Sequence, residues 1–408
     1  MQRLNVFGLI AGNNVSIELD NQNNRNAGPI TADVLIQDHI DKPLRMQLAS
    51  QVMPIGLFFQ FNKHAFGLST QLRQNIYWDG FGARGFRQIW EGIRFEPLRD
   101  SLVSSPGMKF QADLYVETSL SYAYRFYETR REAMSAGVSV KLLNGLQTYQ
   151  LDMTGFDYLV RFDSVFFTRF EGTYGRAVGN QGLGSGLGLA FDLGFNYVKI
   201  DQQAKRQSRT QSGIRCFNFA GKLRIRKPVP DYLWKLGVSW LDLGLINYDA
   251  PFFAVNSFGR YSTLGRFFTI GEPDFDAAFL GELSNNGVLT GTPSFSVGAP
   301  TALSVQFDGK IYPGVYLFAG IIQRTPMFGQ FSMRRTNTLT VIPRVEHPLG
   351  EFAIPVTLTE YRYFNLGLSA RIGPLAFGTD RFGTLFGLQR FSGADAWFSL
   401  NLFEFWRF

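Results

Sequence analysis

Residues 187–197 read LGLAFDLGFNY, and their alternation decides the fold. Leu187, Leu189, Phe191, Leu193, Phe195 and Tyr197 share one parity, and Gly188, Ala190, Asp192, Gly194 and Asn196 the other. Successive side chains of a strand point to opposite faces, so a period of two marks a sheet whose faces meet unlike surroundings. The pattern recurs on both sides of this stretch. Met134, Ala136, Val138, Val140 and Leu142 oppose Ser135, Gly137, Ser139 and Lys141; Phe217, Phe219, Leu223 and Ile225 oppose Asn218, Lys222 and Arg224. Phe364, Leu366, Leu368, Ala370 and Ile372 oppose Tyr363, Asn365, Gly367, Ser369 and Arg371, and residues 114–126 alternate likewise. A soluble sandwich also alternates, but its strands average about five or six residues. These runs reach about ten, the length a bilayer-crossing strand needs.

The expected fold is therefore all-β: a transmembrane antiparallel barrel of about fourteen strands, bulky face to lipid and small or polar face to the lumen. Tyr122, Tyr124, Phe126, Tyr197, Trp240 and Tyr248 are placed in interfacial girdles. Composition agrees. Aromatic residues make up 15% of the 408 and charged residues 18%, so the chain buries too much apolar surface for disorder and is poor in charge for a soluble domain. No run of about 18 apolar residues exists to form a membrane helix. The one cysteine, Cys216, excludes an intramolecular disulfide or CxxC pair, and His39, His64 and His347 make no metal-binding grouping. The formal charge of +7 is scattered along the chain, which argues against a nucleic-acid partner. No cofactor or metal is expected.

Along the chain, residues 1–44 are set apart as a lead-in or plug, with a short alternation at Val15, Ile17 and Leu19, and the barrel spans 45–408 with strands from Met46 onward. Helical spacing of Phe86, Ile89, Trp90 and Ile93 predicts a short helix between Asp79 and Arg99. Hairpin turns are placed at 128–132 and 201–213, and a long loop at 257–300. The last stretch, Ala394–Phe408, carries Phe398, Leu400, Leu402, Trp406 and Phe408 on one parity, interrupted by Glu404. It resembles the C-terminal signal that the barrel-assembly machinery reads on bacterial outer-membrane proteins.

The segments YAYRFYETRREAMSAGVSVKLLNG (122–145), LGLSARIGPLAFGTD (366–380) and GADAWFSL (393–400) together resemble an uncharacterised Bacteroidota outer-membrane barrel family. That family is distantly similar to FadL-type transporters and to the PorV barrel of type IX secretion. No enzymatic activity is expected, since the sequence places none of His39, His64 or His347 beside a serine. The resemblance implies a bacterial outer-membrane location with lipid as surroundings. It implies, first, an accessory or scaffold subunit of an envelope export or assembly complex, and as the alternative a passive channel for hydrophobic or anionic small molecules.

The acidic group Glu272, Asp274, Asp276 and Glu282 lacks the glycine of a calcium loop, since Ala277 stands at the sixth position. Gly182, Gly184, Gly186 and Gly188 fit no phosphate loop and read as lumen-facing glycines. Candidate lumen charges are Glu117, Arg125, Lys141, Asp192, Lys222, Arg224, Asp308 and Arg371. Mixed in sign, they suit pairing across a plugged interior; were the lumen open, the basic excess would favour anions.

Overall fold

The computed structural model describes residues 4–20, 43–82, 100–105, 107–160, 165–179, 184–201, 232–255, 262–263, 289–326, 328–347, 350–382 and 393–403. These form one sheet of 23 strand segments. Its wall consists of β1 (Leu4–Asp20), β2 (Pro43–Phe61), β3 (His64–Gly82), β4 (Met108–Glu128), β5 (Glu132–Val160), β6 (Gly186–Ile200), β7 (Tyr232–Tyr248), β8 (Ala302–Tyr312), β9 (Val315–Arg324), β10 (Thr338–His347), β11 (Gly350–Ala353 and Val356–Thr359), β12 (Tyr363–Leu366 and Leu368–Ile372), β13 (Leu375–Thr379) and β14 (Gly393–Phe403). Each pairs antiparallel with the next. The ladder from Gly8↔Phe403 to Glu18↔Gly393 then joins β14 to β1. Followed from neighbour to neighbour, the pairings return to their start after fourteen staves, the number expected.

Outside and inside are inverted relative to a soluble protein. Leu187 is 66% exposed, and Leu189, Phe191, Leu193 and Phe195 follow it on the outer face, while Ala190 on the inner face is fully buried. On β4, Leu120, Tyr122, Tyr124 and Phe126 are exposed, whereas Asp113, Glu117 and Ser119 are buried. Val138, Val140 and Leu142 of β5, and Leu339, Val341 and Val345 of β10, repeat the outward arrangement. Hydrocarbon is the surrounding that makes such a distribution favourable.

Short turns at 62–63, 129–131, 313–314 and 373–374 lie at one end, together with Leu4 and Phe403. The connection between Asp201 and Tyr232 also starts and finishes at this end, and the other long connections start and finish at the opposite one. Tyr122, Tyr124 and Phe126 cluster toward the short-turn end, as a girdle requires, and Trp240 is exposed on the outer face. Tyr248 is not a girdle residue. Its ring is fully buried inside the barrel, stacked on Phe295 at 5.4 Å, because the plug described below covers that part of the inner face.

Three boundaries differ from expectation. Residues 4–20 are not a lead-in but a wall strand between β14 and β2, so Val15, Ile17 and Leu19 belong to the barrel itself. Within 257–300, the segments Leu289–Thr292 and Phe295–Gly298 are strands, the second paired with β7, so this connection is not simply a loop. Residues 79–82 of the expected helix continue β3, and its remainder up to residue 99 lies outside the described residues. The 128–132 turn is found where expected, while 202–213 lie outside the described residues.

The two faces of β6 predict opposite tolerances. Phe191→Arg, on the outer face, should lower refolding stability in lipid vesicles by about 2–4 kcal/mol. Gly194→Ser, where an added Cβ would meet only the Ser239 Cβ at 3.9 Å, should change it by less than about 1 kcal/mol. Denaturant titration of both variants measures the contrast.

Candidate functional site in the barrel lumen

Two segments close the lumen toward the long-connection end. Residues 295–301 prolong the β8 stave along the same edge of β7, Phe295↔Tyr248 to Gly298↔Leu245 running in register with Ala302↔Leu241, and Val297 and Gly298 pair parallel with Phe331 and Ser332 of the β9–β10 connection. Phe295, Val297, Ala299, Phe331 and Met333 bury themselves against Tyr115, Leu143, Ala177, Ala190, Ile246 and Tyr248. Glycine makes room for this plug: a Cβ at Gly145 or Gly186 would stand 2.5–2.6 Å from the Tyr248 ring or its hydroxyl.

The same connection then crosses to the opposite wall. The Arg334 carbonyl accepts from Asn75 Nδ2 at 3.1 Å, and Arg334 Nη1 donates to the Tyr77 hydroxyl at 2.7 Å. Thr336 Oγ1 donates to Gln47 Oε1 at 2.9 Å, and Arg334 also pairs with Glu360 at 3.3 Å.

Beside the plug, five neighbouring staves each contribute one charge to a single knot. Arg73 (β3), Glu117 (β4), Lys141 (β5), Asp192 (β6) and Asp242 (β7) meet Arg335 from the plug. Lys141 Nζ lies 2.5 Å from Asp242, 2.7 Å from Asp192 and 3.3 Å from Glu117. Arg73 spans Glu117 at 2.8 Å and Asp242 at 3.2 Å, and Arg335 reaches Asp242 at 3.3 Å. Asp242 is aimed inward by a bulge. Between the pairs Phe191↔Leu243 and Leu193↔Trp240, β7 carries an extra residue, and Asp242 takes φ +53°, which aspartate tolerates better than most residues. Its amide donates to Asp192 Oδ1 at 2.7 Å and its carbonyl accepts from Thr301 Oγ1 at 2.7 Å, tying the bulge to the plug.

A second group surrounds Asp308, which accepts from Arg344 at 2.8 Å and from the Tyr232 hydroxyl at 2.7 Å, with Lys235 at 3.8 Å. Arg344 also binds Glu346 at 2.9 Å, and Arg371 binds Glu351 at 3.2 Å.

Of the expected lumen charges, Glu117, Lys141 and Asp192 are brought together, Asp308 and Arg371 sit in the second group, and Arg125 pairs with Glu128 near the short-turn rim. Lys222 and Arg224 lie outside the described residues. Arg73, Asp242, Arg335 and Arg344 were not singled out in the sequence. They alter the balance: three cations face three anions in the knot, and Lys235, Arg344 and Arg371 face Asp308, Glu346 and Glu351 in the second group. The basic excess read from sequence is therefore absent from these two groups. Of the C-terminal signal, Phe398 is exposed on the outer face, Leu400 is half-buried, and the Leu402 backbone pairs with Leu9. Trp406 and Phe408 lie outside the described residues, as do Glu272, Asp274, Asp276 and Glu282.

Between the knot and the short turns lies a cavity of about 590 Å3. Small and polar inner-face residues line it, among them Ala65, Gly67, Ser121, Gly137, Asn196 and Ser239, with Asp192 and Asp308 at its edge. Phe58 and Phe318 enter it as well. The Phe58 ring covers Gly67, where a Cβ would lie 2.8 Å away, and the Phe318 ring covers Gly320 in the same manner at 2.9 Å. Among the described residues, no group of histidine, cysteine or carboxylate side chains could hold a metal.

Removing one partner of a buried ion pair leaves the others uncompensated. Lys141→Met should thus cost about 3–5 kcal/mol, and adding Asp192→Leu should cost less than the sum of the two single changes; denaturant unfolding of the four-member cycle reads the difference. Near the long-connection end, burial and the adjacent Asp395 raise the Asp380 carboxyl to about 6. The folded state thus holds that proton more tightly than the unfolded chain, so the group's stabilisation is complete below about pH 4 and lost as pH rises through 6. Asp380→Asn should raise stability by about 2 kcal/mol at pH 7.5 and leave it unchanged at pH 4, read by unfolding at the two pH values.

Solved structures to which the chain is similar include the toluene transporter TbuX of Ralstonia pickettii, with a TM-score of 0.41 at 11% identity over 98% of this chain and 88% of that one. The Pseudomonas putida toluene transporter TodX gives 0.39 at 7% over the same shares, and a Pseudomonas aeruginosa FadL homologue 0.20 at 10% over 97% and 89%. No curated protein matches the chain. Residues 5–380 match a family of unknown function, DUF5723, and the chain belongs to that family.

Proposed function

We propose that the protein is an outer-membrane channel for small solutes, held shut by its own connections. The observation that carries this reading is the cavity, a hollow of ligand size inside a wall whose outer face is apolar. A wall built only to display docking surfaces needs no such hollow, and a solid interior would be simpler to pack. The channel role is therefore preferred here to the scaffold role. Four short turns and both mapped chain ends support reading that side as periplasmic, with the cavity toward the periplasm and the plug toward the exterior; the connection between Asp201 and Tyr232 lies on the same side.

The plug touches the β2–β3 wall through polar contacts, and these exchange for water more readily than its apolar contacts with β4 to β7. Opening is assigned to release of the first set, with residues 328–337 swinging from β2 and β3 while the neighbouring 295–301 segment stays bound to β7.

Planar-bilayer recording tests this. The unaltered barrel should show a small, intermittent current, and Arg334→Ala/Arg335→Ala should raise the open fraction by about tenfold or more, the effect of removing about 1.4 kcal/mol of latch. With Cys216→Ser as background, Gln47→Cys/Thr336→Cys should hold the lumen shut when oxidised and release it on reduction. A folded, heat-modifiable Arg334→Ala/Arg335→Ala barrel that passes no current overturns the channel reading.

A further inference from the structure

The lining of the cavity specifies what enters it. Its aromatic rings stand across from one another: Phe58 lies on β2 and Phe318 on β9, seven staves apart in a wall of fourteen. Each ring lies over a glycine, Phe58 over Gly67 and Phe318 over Gly320, and lines the cavity. Between them, the wall from β4 to β8 presents hydroxyl and amide groups. Among the described residues, the Ser135 and Ser239 hydroxyls and the Asn196 amide form no side-chain hydrogen bond, and the Ser121 and Ser139 hydroxyls bond only within the wall, at 2.8 Å and 3.4 Å. The charges that line the cavity are matched, Asp192 by Lys141 at 2.7 Å and Asp308 by Arg344 at 2.8 Å, while Lys235 stands 3.8 Å from Asp308 and over the Tyr232 ring.

Each feature excludes a class of solute. Matched charges give no net attraction for an anion or a cation, so a charged solute would lose hydration without a counter-charge. A bare hydrocarbon would leave the hydroxyls and Asn196 dry and unpaired, each losing its hydrogen bonds to water without replacement. A solute with apolar faces and a hydroxylated edge meets both demands, stacking its C–H faces on the rings and bonding the wall through its edge. Pyranose sugars have that shape.

We propose that the cavity binds an uncharged, polyhydroxylated ring compound of mono- or disaccharide size between Phe58 and Phe318, a specificity that rests on the channel reading above. The barrel would then admit sugars and neither hydrocarbons nor ions.

Saturation-transfer NMR on the full chain in lipid nanodiscs tests it with maltose, glucose 6-phosphate and p-xylene as probes. Maltose should receive saturation mainly at its ring C–H protons, with the signal reduced at least fivefold in Phe58→Ala/Phe318→Ala. Gly194→Leu/Gly237→Leu, which fills space that the two glycines leave open, should remove it. Glucose 6-phosphate should give at most a fifth of the maltose signal. The p-xylene signal, arising from lipid, should be the same in all variants. The proposal fails if maltose gives no signal, if its signal survives the filled cavity, or if filling the cavity removes a p-xylene signal instead. Any of these leaves the channel reading standing when Arg334→Ala/Arg335→Ala still conducts, so the two can fail separately.

Discussion

Hydrocarbon offers no hydrogen-bond partner, so a chain that crosses it in strands must pair every backbone donor and acceptor within its own wall. The β14–β1 ladder is where that demand is met, because without it two edges of 11 and 17 residues would face lipid unpaired. Closure has a second consequence. It turns one parity of every strand toward the bilayer and the other toward an enclosed space, so a single period-two pattern fixes both the apolar exterior of Leu187 to Phe195 and the interior of Ala190, Asp192 and Gly194.

Enclosure changes the terms for polar groups. Glu117, Lys141 and Asp242 are almost wholly buried, and a lone charge at such a position would lose its hydration with no return. Six charges of balanced sign solve this collectively: Lys141 meets Glu117, Asp192 and Asp242, and Asp242 is shared by Arg73, Lys141 and Arg335. The β7 bulge is what makes the sharing geometric, since a regular strand would not present Asp242 inward beside Asp192. The knot therefore ties four wall staves to the strand and the connection that build the plug. Wall and closure are stabilised by the same contacts.

The wall was legible in the sequence because its signal is local. Residues 187–197, 134–142 and 364–372 each declare two faces without reference to anything distant, and stave length then separates a bilayer barrel from a sandwich. Glu117, Lys141 and Asp192 were legible for the same reason, standing as charges on an otherwise small or polar parity. Asp242 was not, because the bulge breaks parity at that residue. Arg334 and Arg335 were not either, since no strand pattern contains them and their partners Tyr77 and Asp242 lie 257 residues and nearly a hundred residues away along the chain. Residues 4–20 were misread because Asn13, Asn14 and Ser16 dilute the alternation; pairing with β2 and β14, not intrinsic preference, makes that strand.

The position of the plug also has a cause that can be read along individual strands. On β4 the inner face passes from Ser121 and Ala123, which line the cavity, to Tyr115, which is buried; on β5 it passes from Gly137 and Ser139 to Leu143; on β7 from Gly237 and Ser239 to Ile246 and Tyr248. Three of the four staves from β4 to β7 thus change from small and polar to large and mostly apolar, while β6 between them stays small at Ala190, Gly188 and Gly186. Large apolar side chains facing a water-filled lumen would be as costly as polar ones facing lipid, and the apolar segments 295–299 and 331–333 supply their cover. Below that change the inner faces of β4, β5 and β7 carry small or polar side chains, and Phe58 and Phe318 line the cavity from the walls on either side. Those two rings are apolar surface against which a solute gains by stacking.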